Sequence, residues 1–181
     1  MHMPSAVKQW TLEEVHSLPD DGNKYELVRG ELFVTPPPTY THDTVAARLS
    51  RLLVPYVEQH GLGLVYHPRA VMRFEGSEVE PDLMVRALHP GEHPDWDDAP
   101  IPILIVEILS PSMRRRDQVK KRSLYMDAGV ADYWMVDPER RSITAVRVGH
   151  ADVVALENET MRWSPEGAAA ELVFEVTRVF G

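Results

Sequence analysis

Ile103-Leu104-Ile105-Val106-Glu107-Ile108-Leu109 lies within the longest apolar run of the chain, Ile101 to Leu109. The run is short, rich in isoleucine and followed by the loop-forming Ser110-Pro111-Ser112. Those features predict a strand buried on both faces. Glu107 stands in the middle of it. A carboxylate in that setting is costly unless it is paired, protonated or bound to a metal. It therefore reads either as a buried acid held by an arginine or a helix N-terminus, or as a functional group.

On the C-terminal side, the pattern predicts a helix from about Met113 to Ala128, closed by Gly129. Strands follow at Asp132 to Val136 and Ser142 to Val148, separated by the turn Asp137-Pro138-Glu139, and shorter strand-like pieces at Val153 to Leu156 and Glu171 to Val176. On the N-terminal side, Ala87 to Pro100 has the Pro-, Asp- and His-rich composition of a long surface loop. Before it come strand-like segments at Gly63 to His67, Arg69 to Phe74 and Val79 to Val85, with a turn at Glu75-Gly76-Ser77.

Further back, Val45, Leu49, Leu52, Leu53, Tyr56 and Val57 recur at helical spacing and predict a helix from about Thr41 to His60, stopped by Gly61. Pro55 within it should kink the helix or end it early. Tyr25 to Arg29 and Glu31 to Thr35 read as a hairpin about Gly30, and Thr11-Leu12-Glu13-Glu14 is a capping box opening a helix that ends near Pro19. This order predicts a single domain over residues 1–181, an α/β (α+β) fold with a mixed β-sheet flanked by helices.

Composition narrows the chemistry. The 181 residues are 44% hydrophobic and 26% charged, and they include no cysteine, which removes disulfides, thiolate metal sites and cysteine nucleophiles. No signal-peptide pattern opens the chain, and no apolar run approaches the roughly 20 residues of a membrane span. The expectation is a cytoplasmic protein with no membrane partner. A net charge of −9 argues against a general nucleic-acid coat. A basic stretch nevertheless runs from Arg114 to Arg122, with six cations (Arg114, Arg115, Arg116, Lys120, Lys121, Arg122) against Asp117. It is either a solvated helix face or a phosphate-binding patch.

Two further residues are out of place. Asp82, in Glu80-Pro81-Asp82-Leu83-Met84-Val85, starts a strand whose alternation puts it on the face of Met84. Pro-Asp is also an ordinary turn signal. Lys121 shares a helical stripe with Asp117, Leu124, Tyr125 and Ala128, the last three being residues expected to face the sheet. It is either a snorkelling lysine pairing with Asp117 or an ammonium aimed at the sheet. Two acids and one ammonium are what phosphodiester hydrolysis asks for. Paired carboxylates hold Mg²⁺ through hard oxygen ligands, and a lysine offsets the charge that develops on the phosphate.

These residues carry a resemblance. From about Trp10 to Val148 the chain resembles the Uma-two family of restriction-endonuclease-like proteins, within the PD-(D/E)XK nuclease superfamily. The matching pieces are Tyr25-Glu26-Leu27-Val28-Arg29-Gly30-Glu31-Leu32, His42, Glu80-Pro81-Asp82-Leu83, Val106-Glu107-Ile108-Leu109-Ser110-Pro111-Ser112, then Asp117, Lys121, Tyr125, Ala128-Gly129-Val130 and Tyr133-Trp134-Met135-Val136-Asp137-Pro138. The resemblance implies that Asp82 and Glu107 are the first and second metal-binding acids. The superfamily's usual lysine position is Leu109 here, and Lys121 on the following helix is the matching cation. Glu31 and His42 are additional candidates, although His42 is equally a capping or surface residue. The expected activity is a DNA endonuclease dependent on Mg²⁺, with Mn²⁺ as a substitute, acting as a homodimer. Arg114, Arg115 and Arg116 would contact phosphates. The alternative is a nuclease-fold protein that binds nucleic acid or protein without catalysis.

Overall fold

In the computed structural model, residues 8–88, 95–110 and 115–181 are described, the side chains of 115–117 excepted. Thr11 caps α1 (Leu12–His16) through the predicted box, its hydroxyl accepting from the Glu14 N–H while Glu14 accepts from the Thr11 N–H. The hairpin of β1 (Lys24–Val28) and β2 (Glu31–Thr35) pairs Val28 with Glu31 and Lys24 with Thr35. Then comes α2 (Tyr40–Gln59), capped by Thr39. It continues through Pro55 and ends at His60 and Gly61 in a Schellman arrangement, with Leu62 N–H on Val57 O and Gly61 N–H on Glu58 O.

After β3 (Leu64–Tyr66) and β4 (Met72–Phe74), the expected strand Val79 to Val85 is two strands, β5 (Ser77–Val79) and β6 (Leu83–Arg86). Glu80-Pro81-Asp82 separates them, and they join different sheets. Proline has no N–H to donate to a ladder, so the chain changes partners there. β7 (Leu104–Ile108) is buried along its whole length, as its composition predicts. A crossover through α3 (Arg115–Asp127) then leads to β8 (Asp132–Asp137), which runs parallel to β7. The chain finishes with β9 (Ser142–Arg147), β10 (Val153–Leu156), β11 (Thr160–Trp163), β12 (Leu172–Glu175) and α4 (Thr177–Phe180). The pattern of the sequence did not single out β11 or α4.

The main sheet has six strands in the order β10-β9-β8-β7-β6-β3, mixed by its one parallel pair. A four-stranded sheet, β2-β1-β5-β4, and the hairpin β11-β12 complete the architecture. Alternation along β7 divides the core. Leu104, Val106 and Ile108 pack with α2, α4, Trp134, Trp163 and Phe174. Ile105 packs with Met84, Tyr133 and the Leu124, Tyr125 and Ala128 stripe of α3. Glu107 shares the parity of Ile105, so the sheet turns its carboxylate towards α3. The register Leu83↔Val106 puts Asp82, just before β6, next to Glu107.

A candidate active site of alternating charges

Glu107 is wholly buried, and its Oε1 accepts from Lys121 Nζ at 2.9 Å and from the Tyr125 hydroxyl at 2.5 Å. Lys121 and Tyr125 are one helical turn apart on α3, which is why both reach the same oxygen. Tyr125 is held at the helix end by the close of α3, where Val130 N–H bonds to Tyr125 O and Gly129 adopts φ +84°. The other oxygen of Glu107, Oε2, is buried with no hydrogen-bond partner. Burial holds the Glu107 pKa above the ordinary carboxylate value despite the lysine charges nearby. Burial likewise pushes the Tyr125 hydroxyl well up, reinforced by the charge of Glu107. Lys121 is buried too, yet its pKa is raised, because Glu107 and Glu26 outweigh the cost of desolvation.

Glu26 and Lys24 are the site residues that sequence reasoning missed. From the middle of β1 the Glu26 Oε1 accepts from Lys121 Nζ at 2.8 Å and from the Glu80 N–H at 2.9 Å, while its Oε2 is buried with no hydrogen-bond partner. Lys24, two residues earlier on the same face, donates to Glu80 O at 2.9 Å and stands 3.9 Å from Glu26 Oε2 and 3.6 Å from Asp82 Oδ1. The one available signal was parity: Glu26 alternates with the apolar Val28, which the structure buries.

Asp82 follows Pro81 immediately before β6, and its Oδ2 accepts the Ile108 N–H at 2.7 Å. His42 Nε2, from the first turn of α2, lies 3.1 Å from the same oxygen, and His42 Nδ1 lies 3.3 Å from Asp43 Oδ1. Although burial opposes it, the His42 contact, the Lys24 charge and the Ile108 N–H lower the Asp82 pKa to about 2. Burial alone would lower the His42 pKa, but the Asp82 and Asp43 carboxylates raise it. The charged groups thus alternate in space: His42, Asp82, Lys24, Glu26, Lys121, Glu107.

Of the residues expected to form the site, Glu107 and Lys121 are in direct contact, and Asp82 lies close enough to Glu107 to raise its pKa. His42 joins them through Asp82 rather than serving only as a cap. Glu31 is ion-paired with Lys120. Arg114 and the side chains of Arg115, Arg116 and Asp117 lie outside the described residues, so the Lys121–Asp117 pairing has no observation. Among the described residues, no group of three or more His, Asp or Glu side chains is arranged to hold a metal ion.

A cleft of about 860 Å³ opens on one end of this array, between the β1-β2 hairpin and α2. Lys24, His42, Glu80, Asp82, Ile108 and Ser110 line it, together with Pro36 to Pro38, Ala46 and Ala47. Glu26, Glu107 and Lys121, each at most 2% exposed, are not on its surface.

A mixed sheet flanked by helices, with an acid beside the start of one central strand and a second acid inside the next, fits a restriction-endonuclease-like fold, the lysine here standing on the crossover helix instead of at Leu109. Residues 12–177 match the model of the Uma2 family, described as "putative restriction endonuclease", and the chain belongs to that family. A crystal structure of a putative nuclease belonging to DUF820, from Anabaena variabilis, has the same fold, with a TM-score of 0.78 and 19% identity over 94% of this chain and 97% of that one. Comparison with curated proteins gave no match.

Proposed function

We propose that the protein is a metal-dependent endonuclease that hydrolyses DNA phosphodiester bonds at the inner end of the cleft. The observation that carries this reading is the juxtaposition of an ionised Asp82 on the cleft wall with Glu107, whose Oε2 is buried without a partner. Such an oxygen is unfavourable as it stands and suits a hard divalent cation. Asp82 and Glu107 would hold the ion, Mg²⁺ or Mn²⁺, which would supply Lewis acidity and an acidified water. Mg²⁺ commonly takes one or two carboxylates together with waters and substrate phosphate, so a pair is a sufficient protein set.

The other residues support that pair. Lys121 orients Glu107 and offsets part of the cost of burying its carboxylate, and Glu26 anchors Lys121 as a second acceptor. His42 fixes the Asp82 carboxylate from α2. In hydrolysis the water oxygen bonds to phosphorus, the bond to the leaving sugar oxygen breaks, and that oxygen takes a proton. Arg114, Arg115 and Arg116 follow directly on the Ser110 segment in sequence and supply phosphate contacts in this reading.

The test is conversion of supercoiled plasmid with Mg²⁺ or Mn²⁺ by wild type and by Asp82→Asn, Glu107→Gln and Lys121→Ala. Loss of at least about a hundredfold in each variant is expected. Activity undiminished in all three would falsify the assignment. A second reading, a nuclease-fold binding protein without catalysis, is favoured by the compensation of every site acid by a cation of the same chain. Mn²⁺ binding that vanishes in Asp82→Asn and Glu107→Gln decides for the enzyme.

A further inference from the structure

Lys121 and Lys24 divide the lysine work of the site between them. Lys121 Nζ is clamped by two carboxylates at 2.8 and 2.9 Å, and its side chain is 3% exposed. A substrate phosphate that reached Asp82 through the cleft would not meet it. Lys24 is placed differently. It stands at the first position of β1, on the cleft wall, with its side chain 17% exposed. Its ammonium has three donors but, among the described residues, makes one hydrogen bond, to Glu80 O. Asp82 at 3.6 Å and Glu26 at 3.9 Å attract it from beyond hydrogen-bonding distance.

We propose that Lys24 is the catalytic lysine that touches the scissile phosphate, and that Lys121 is a positioning residue acting through Glu107. The inference rests on the nuclease reading of the same site. An anion arriving beside Asp82 needs a cation within reach, and Lys24 offers unspent donors there, whereas reaching the cleft with Lys121 would strip two buried carboxylates of their counter-charge. The backbone supports the assignment. Lys24 and Glu26 project from one face of β1, so the strand that anchors Lys121 from behind also presents Lys24 in front.

The experiment compares Lys24→Met, Lys24→Arg and Lys121→Met. Binding of a short duplex is read with Ca²⁺ in place of Mg²⁺, and single-turnover cleavage with Mg²⁺. Lys24→Met is expected to weaken binding about tenfold and to slow cleavage about a hundredfold, with Mn²⁺ affinity kept or increased. Lys24→Arg should regain most of the binding. Lys121→Met, which leaves the buried Glu107 without its nearest counter-charge and so favours its protonated form, should instead weaken Mn²⁺ affinity and leave duplex binding within about twofold. A measurement on the wild-type protein guards against misfolded variants: in lysine-¹³Cε spectra, the Lys24 signal should shift on adding duplex while that of Lys121 holds still. A Lys24→Met enzyme that binds and cleaves normally, while Asp82→Asn and Glu107→Gln are dead, overturns the Lys24 assignment alone. A wild type that cuts nothing overturns the nuclease reading and the Lys24 assignment with it; where the wild type cuts, a moving Lys121 signal beside a static Lys24 sinks the assignment alone.

Discussion

At Asp82, contacts from three elements converge on one carboxylate: the Ile108 N–H from β7, His42 from α2 and Lys24 from β1. Its pKa falls from 3.8 to about 2, and a depressed carboxylate has a definite sign. The stability it contributes is complete above the unfolded value near 3.8 and is lost as pH falls through the folded value near 2. A shift of that size corresponds to about 2 kcal/mol. Asp82→Asn should therefore flatten the stability profile between about pH 4 and pH 2, read as urea midpoints across that range. An unchanged acid limb would mean that the three contacts do not hold in solution. His42 carries the opposite sign: its raised pKa gives stability that is present below 6.5 and fades as pH rises through the folded value.

At the scale of the elements, local chemistry and packing compete visibly in α2. Pro55 is exposed and removes a backbone donor from the helix interior, yet the helix runs on to Gln59. The buried stripe of Val45, Leu49, Leu52, Leu53, Tyr56 and Val57 outweighs the defect. Pro55→Ala should restore the missing bond and raise stability by about 2 kcal/mol, measured by thermal or urea unfolding. A loss of stability would show that the proline's geometry is needed. Periodicity also explains what could be foreseen. α2 was legible from its apolar stripe, β7 from a continuous apolar run bounded by loop residues, and the first hairpin from two strand-like runs about Gly30. The break between β5 and β6 carried a signal in Pro81, but which sheet each half joins was not legible, because only the packing decides which partner each takes. β11 escaped notice because Thr160–Trp163 is short and half polar; its Met161 and Trp163 acquire a core only when Trp134 and Phe174 arrive from elsewhere in the chain.

For the whole molecule, a net charge of −9 opposes nucleic acid, so binding must come from a local concentration of cations. On the proposed function, duplex affinity should fall steeply with salt. Replacing Arg114, Arg115 and Arg116 together by alanine should reduce the slope of log affinity against log salt by about 2.7. An unchanged slope would place the phosphate contacts elsewhere. Among the described residues, no helix is long and apolar enough to cross a membrane. The sequence established the order of most elements and the oddity of Glu107 and Lys121, since a charge inside an apolar pattern is conspicuous wherever the pattern is regular. It could not say which charges pair. Lys121 and Glu26 are 95 residues apart, and Asp82 meets Lys24 and His42 only because a hairpin, a sheet and a helix close round one cleft. Electrostatic partners in a folded chain are set by distance in space, and that distance is fixed by the packing of the apolar faces rather than by spacing along the chain.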